Sequence, residues 1–100
     1  MKNRRDTHSQ LICSISRAIL GTITPNVRAV GGSLSADDVV DFVVIFDKPP
    51  TQEELSDFYV AGSEIVADGR SFINEYFITI ESSKPPEHKN LEVLVYLRKE

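Results

Sequence analysis

The segment Val39–Phe46 constrains the fold most, because it is apolar on both of its sides. Alternation along a strand places four apolar side chains on one face, Val40, Phe42, Val44 and Phe46. The opposite face carries Asp41, Val43, Ile45 and Asp47. A strand with apolar residues on both faces is typical of a central rather than an edge position in a sheet. We therefore expect a central strand here.

Two helices and three further strands are predicted around this strand. Helical spacing of apolar residues predicts helices over residues 8–20 and 52–67. Apolar alternation predicts strands over residues 27–34, 72–80 and 91–98. The order α-β-β-α-β-β is a cyclic shift of the ferredoxin-like order. It predicts an α+β fold with two helices packed on one face of a four-stranded antiparallel sheet, whose strands, numbered along the chain, lie in the order 3-4-2-1.

Local signals refine these elements. Thr7–Gln10 and Thr51–Glu54 both have the capping-box pattern that starts a helix, and Gly21 is expected to stop the first one. Gly62 lies on the apolar stripe of the second helix, where it costs ~1 kcal/mol relative to alanine, so we expect close packing there. The pair Gly31-Gly32 inside a strand predicts a bulge or a close backbone approach.

Length and composition indicate one soluble domain. The 100 residues are expected to form a single α+β domain over residues 1–100. The longest apolar run is Phe42–Phe46, far too short to span a membrane, and the N-terminus lacks the apolar core of a secretory signal. The lone Cys13 suits a reducing compartment. We therefore expect a cytoplasmic protein without membrane contact.

The sequence contains no recognisable catalytic, metal or cofactor motif. His8 and His88 have no partner at metal-binding spacing, and Cys13 is expected to pack as a small apolar residue within its helix. Asp41 and Asp47 lie ~20 Å apart along one strand, too far to act together on one bond. We therefore expect no enzyme activity, no metal and no cofactor.

Charge is strongly segregated along the chain. Residues 35–81 contain eleven acidic residues against only Lys48 and Arg70, a net charge of −9 within a chain whose total is −4. Such a field repels phosphate, which argues against nucleic-acid binding. Phe77 and Tyr96 are predicted on one exposed sheet face, as in RNA-binding sheets, but the basic and aromatic pattern of those sheets is absent.

The acidic middle is instead a candidate surface for a basic protein. Five carboxylates around the second helix are the predicted partner-binding residues: Asp47, Glu53, Glu54, Asp57 and Glu64. Helix-dipole compensation is an alternative explanation for the acids at the helix start. Counter-charge from a partner would relieve the repulsion within this cluster.

Three stretches add a family resemblance: SRAILGTITPNVRAV at residues 16–30, SEIVAD at residues 63–68 and VYLRKE at residues 95–100. Together they resemble small bacterial immunity proteins of contact-dependent growth inhibition and related toxin systems. The resemblance implies a cytoplasmic inhibitor that binds a cognate toxin domain, frequently a nuclease, and blocks it.

Two other functions remain open from the residues alone. One is a structural module acting as a homo-oligomer, through an exposed sheet edge or an apolar outer face formed by Val43 and Ile45. The other is a small enzyme, which would require the histidines and several carboxylates to converge in one pocket.

Overall fold

The computed structural model describes the backbone of residues 4–69 and 72–100, with side chains from residue 9 onward in those ranges. The elements along the chain are α1 (Arg4–Ala18), β1 (Val27–Leu34), β2 (Val39–Phe46), α2 (Gln52–Ala67), β3 (Phe72–Thr79) and β4 (Val93–Leu97). The predicted order α-β-β-α-β-β is confirmed. Neither described helix is long and apolar enough to cross a membrane.

The sheet is mixed, with the strand order β3-β2-β1-β4. β1 runs antiparallel to both β2 and β4, whereas β2 and β3 are parallel. The predicted order 3-4-2-1 and the wholly antiparallel sheet are therefore wrong. Because α2 carries the chain back across the sheet between β2 and β3, the returning strand runs in the same direction as β2. The central position predicted for β2 is confirmed.

One face of the sheet is covered by both helices. The principal core joins the predicted inner face of β2 to Leu11 and Ile15 of α1 and to Phe58 and Ile65 of α2, all fully buried. Phe58 lies at its centre, with its ring centroid 6.4 Å from that of Phe42 and 5.7 Å from that of Phe46. The amphipathic helices thus bury their stripes against the most apolar strand.

The other face of the sheet is covered by the chain's own connection between β3 and β4. Val43 and Ile45 are fully buried with Ala29, and Ile80 and Leu91 pack over them. The prediction that Val43 and Ile45 form an exposed outer face is therefore wrong, because residues of the same chain cover that face. Val43 and Ile45 are therefore not exposed for the homo-oligomer contact that the sequence left open.

Phe77 and Tyr96 do not lie on an exposed sheet face. Both are half-buried and pack against the principal core beneath the helices. Tyr96 pairs across the sheet with Val30, a buried core residue, and a register shift follows between Val30 and Gly31. At this irregularity the neighbouring residues Val95 and Tyr96 both pack against the principal core. Leu94 and Leu97 are the exposed apolar residues of β4.

The ends of the elements agree with prediction where local signals are strong. α2 has the predicted bounds, and Gly21 adopts the left-handed conformation of a helix stop, with φ 81°. α1 begins at Arg4, so Thr7 lies inside the helix and the predicted cap there is wrong. The prediction places the start near the beginning of the apolar stripe, whereas the helix also includes the polar residues before it.

The glycine pair in β1 marks a close backbone approach, as predicted. A Cβ atom on Gly31 would overlap the carbonyl oxygen of Val93, and one on Gly32 would overlap the carbonyl oxygen of Asp41. Both obstacles are backbone atoms of the neighbouring strands. β2 and β4 can therefore approach β1 this closely only because both positions lack a side chain.

Candidate interaction surface

The first turn of α2 is fixed by a capping box. The Thr51 hydroxyl accepts a hydrogen bond from the Glu54 backbone N–H at 3.1 Å, and the Thr51 N–H donates to Glu54 Oε1 at 2.9 Å. These reciprocal bonds satisfy two backbone N–H groups at the helix start, as the TQEE pattern predicts. They also turn the Glu54 side chain back toward the body of the protein.

Glu54 is consequently an interior residue, only 8% exposed. Its carboxylate also accepts hydrogen bonds from the Thr24 hydroxyl at 2.5 Å and the Asn26 amide at 3.4 Å. Burial alone raises the pKa of Glu54, but the hydrogen bonds from Thr24, Thr51 and Asn26 outweigh it and hold that pKa below its usual value. The predicted partner-binding residue Glu54 thus ties α2 to the segment before β1.

Asp47 is also engaged within the chain. Its Oδ1 accepts the Ser82 backbone N–H at 2.9 Å, and its Oδ2 lies 3.5 Å from a guanidinium nitrogen of Arg98. The Asp47 side chain keeps 23% of its surface exposed. It therefore anchors the turn after β3 and retains only a limited surface for a partner.

Glu53, Asp57 and Glu64 form one exposed line along α2, which we call the acidic flank. Their spacing of four and seven residues places them on the same side of the helix. No hydrogen bond or ion pair joins these carboxylates to other described residues, and α2 contains no lysine or arginine. On neighbouring α1, Arg17 instead donates to Asp68 at 2.8 Å. The acidic flank thus has no counter-charge among the residues that the structure describes.

The start of the acidic flank borders a depression beside the segment before β1. Glu53 and Asp57 line it from α2, and Pro25 and Asn26 line it from the other side. Glu54 closes its floor. The depression presents carboxylate oxygens on one wall, so a lysine or arginine side chain entering it would gain charge-assisted hydrogen bonds.

Exposed apolar residues of α2 were not singled out from the sequence. Tyr59 and Val60 are 53% and 57% exposed, on the outer part of α2. The Tyr59 ring contacts Phe77 of β3 edge to face, with centroids 5.1 Å apart. An exposed aromatic side chain supported by a neighbouring ring is a typical anchor in protein interfaces. The sequence signal that could have identified Tyr59 was its position outside the buried stripe of α2.

Sequence reasoning also missed an ion pair between a buried arginine and a partly exposed carboxylate. Arg28 of β1 is 1% exposed and makes two hydrogen bonds of 2.6 Å with the Glu100 carboxylate. Its guanidinium also donates to the carbonyl oxygens of Ile80 and Glu81. The Arg28 hydrogen bonds lower the pKa of Glu100 to about 2, and Glu100 in turn raises that of Arg28. An arginine in an otherwise apolar strand was the signal.

The residues considered for catalysis are not gathered in one place. His88 contacts the Tyr76 ring and accepts the Asn90 N–H through Nδ1, and the side chain of His8 lies outside the described residues. Cys13 is exposed, so its predicted packing in the core is wrong; it lies on the outer side of α1. Within the described ranges, no three histidine, cysteine or acidic side chains are arranged to hold a metal.

Comparison with known proteins supports one assignment. The curated proteins give no match to this chain. The model of the MafI2 immunity protein family matches residues 8–100, which include most of α1 and every later element. This match confirms the resemblance to small immunity proteins inferred from three short stretches. The chain belongs to the MafI2 immunity protein family.

Proposed function

We propose that this immunity protein neutralises its cognate toxin by binding the toxin domain directly, with the acidic flank of α2 against a basic surface. The observation that carries the proposal is the line of Glu53, Asp57 and Glu64, which are exposed and have no partner among the described residues. Asp47 contributes to binding from the edge of this surface, where its side chain is partly exposed. Glu54 acts from within, by holding α2 in place.

The charge of this surface supports a nuclease as the toxin. A nuclease binds phosphates with lysine and arginine, so its substrate groove is the basic surface that carboxylates complement best. The inhibitor would occupy that groove without catalysis of its own. The proposed setting is a toxin passed between neighbouring cells, as in contact-dependent growth inhibition, and neutralised in the cytoplasm where nucleic acid is present.

The first test is complex formation with the toxin domain encoded beside this chain's gene. The two proteins, co-expressed, are expected to co-purify, and the inhibitor is expected to abolish cleavage of RNA or DNA by that domain. Failure to form a complex at any salt concentration, low or high, would sink the proposal. If a complex forms but the toxin domain cleaves neither RNA nor DNA, toxin binding is supported and only the nuclease assignment is contradicted.

Charge reversal tests the surface itself. Glu53→Lys/Asp57→Lys/Glu64→Lys is expected to weaken binding by at least ~100-fold, because each close charge pair lost contributes ~1 kcal/mol or more and each lysine adds repulsion. The matched control is Glu81→Lys/Glu87→Lys/Glu92→Lys, which makes the same change in net charge at exposed positions away from α2. Equal losses in the two triple variants would show that only net charge matters.

A further inference from the structure

β3 forms one edge of the sheet and is open on its outer side. It pairs with β2 in an unbroken parallel register over all eight residues, from Val39 opposite Phe72 to Phe46 opposite Thr79. It is the terminal strand in the order β3-β2-β1-β4, and no other described strand pairs with it. The backbone N–H and C=O groups on its outer side are therefore available to another strand.

Apart from one acidic residue, Glu75, the β3 edge lacks the features that usually block such pairing. Its sequence, FINEYFIT, contains no proline or lysine, and its register with β2 has no bulge. The opposite edge, β4, has five residues and a register shift, and Arg98 and Lys99 follow it directly. Short, irregular and positively charged edges resist pairing, whereas long and regular ones favour it. Of the two edges of the sheet, β3 is the less protected.

Aromatic side chains flank the β3 edge on both faces of the sheet. Phe72 is 70% exposed and lies on the face away from the helices, since its neighbour Ile73 packs toward the helical core. On the helical face, Tyr59 rests on Phe77 and remains largely exposed. A strand added to this edge would bury both aromatic residues while forming its backbone hydrogen bonds.

Charge decides between the possible occupants of the edge. Glu75 is the only charged residue of β3, and its carboxylate lies against Gly62 of α2. No cation of the described residues lies within ion-pairing distance of it, and partial burial raises its pKa. A second copy of this chain would bring another Glu75 and another acidic α2 close to the first. A strand carrying lysine or arginine would instead supply the missing counter-charge.

We infer that the cognate toxin adds a β-strand to the β3 edge, with a basic side chain beside Glu75 and apolar contacts to Tyr59 and Phe72. This inference rests on the proposed function, because it concerns the same partner. It extends the contact from the acidic flank across α2 to the sheet edge. Backbone pairing then fixes the orientation of the partner, and the carboxylates contribute attraction and specificity.

Amide hydrogen exchange on the unmodified protein provides the main test. With the co-purified toxin domain bound, alternate amides of residues 72–79 are expected to slow their exchange by at least ~10-fold, since one N–H in two points outward along a strand. The amides of β4 serve as the internal control. If a complex forms but β3 exchange is unchanged, the strand addition is overturned and the proposed function stands. If no complex forms, both are overturned.

A second copy at the edge is distinguished by concentration. Protection of β3 in the absence of toxin, increasing with protein concentration, would show that the edge pairs with another copy and would overturn the inference. Charge reversal provides a separate check, with Glu75→Lys expected to weaken toxin binding by about tenfold or more. The matched variant Glu87→Lys changes an exposed loop residue by the same charge and is expected to change binding little.

Discussion

Arg28 illustrates how one residue can place a charge inside this small fold. Its guanidinium is buried, and the carboxylate and two carbonyl oxygens around it satisfy its donors. A buried cation without such partners would be strongly destabilising. The partner Glu100 follows β4 in the chain and is bound by Arg98 as well, at 2.8 Å. The ion pair therefore fastens the end of the chain to the middle of the sheet.

Replacing Glu100 should weaken the fold in a pH-dependent way. The folded-state pKa of Glu100 is about 2, against an ordinary value of 4.5, so its contribution to stability is complete above pH 4.5. It is lost as the pH falls from 4.5 toward 2 and the carboxylate becomes protonated. We expect Glu100→Gln to lower the urea midpoint at neutral pH, and its difference from wild type to shrink over this range.

The control for this prediction is Glu87→Gln, an exposed carboxylate in the connection between β3 and β4. It should change the urea midpoint little at any pH. A difference between wild type and Glu100→Gln that persists unchanged at pH 2 would show that the effect is not due to the charge of Glu100.

α2 is the element that both completes the core and presents the candidate surface. Its buried stripe packs on β2, its first turn is held by the capping box, and its outer side carries the acidic flank. Orientation of the carboxylates therefore depends on how firmly the first turn is fixed. Thr51 is the residue on which this depends most directly, because it both accepts and donates in the box.

Thr51→Ala is expected to destabilise the protein by about 1 kcal/mol, the usual contribution of a side-chain N-cap. The bond lost is the one that the Thr51 hydroxyl accepts from the Glu54 backbone N–H. Chemical denaturation measures the change, and Ser56→Ala, an exposed residue in the same helix, serves as the control. A loss of stability no larger than that of Ser56→Ala would mean that Thr24 and Asn26 hold the first turn of α2 without the cap.

Two glycines allow a comparison of backbone and side-chain obstacles. At Gly32 a Cβ atom would meet a backbone carbonyl of β2, so Gly32→Ala must push strands apart and should cost about 1–3 kcal/mol. At Gly62 it would meet the Glu75 carboxylate, which can rotate away at the sheet edge. Gly62→Ala should therefore be neutral or stabilise by up to about 1 kcal/mol. Equal destabilisation of both variants, measured by urea unfolding, would contradict this distinction.

Local signals explain which elements could be predicted. α2 has a capping box, an apolar stripe and a stop, all within its own residues, and its bounds agree with prediction. The acidic flank was likewise visible as three carboxylates at helical spacing. The internal roles of Asp47 and Glu54 were not, because their partners Ser82 and Thr24 are distant in the chain. Contacts of that kind depend on the assembled fold.

At the scale of the whole molecule, the strand order was the main feature beyond the reach of sequence patterns. Apolar alternation places β2 in the interior but does not select its neighbours. The parallel pairing with β3 depends on the path of α2 over the sheet, and β4 fills the remaining edge beside β1. This order has a functional consequence, since it leaves β3 rather than β4 next to the acidic helix.

The same arrangement concentrates negative charge on one part of the molecule. Residues 35–81, with a net charge of −9, comprise β2, α2 and β3, which are neighbours in space as well as in sequence. Such a field accelerates the approach of a basic partner before any close contact forms. It acts most strongly on the association rate, whereas buried contacts control dissociation.

Binding to the toxin domain should therefore be strongly salt-dependent in its association phase. Raising salt from low to physiological concentration is expected to slow association by about tenfold, because exposed charges are screened beyond roughly 8–10 Å. Dissociation should change much less, since backbone pairing along β3 and burial of Tyr59 are not screened. Stopped-flow mixing across a salt series measures both rates. In the Glu53→Lys/Asp57→Lys/Glu64→Lys variant, the salt dependence of association should largely disappear. An association rate that is already independent of salt in the unmodified protein would show that the acidic flank does not steer the partner.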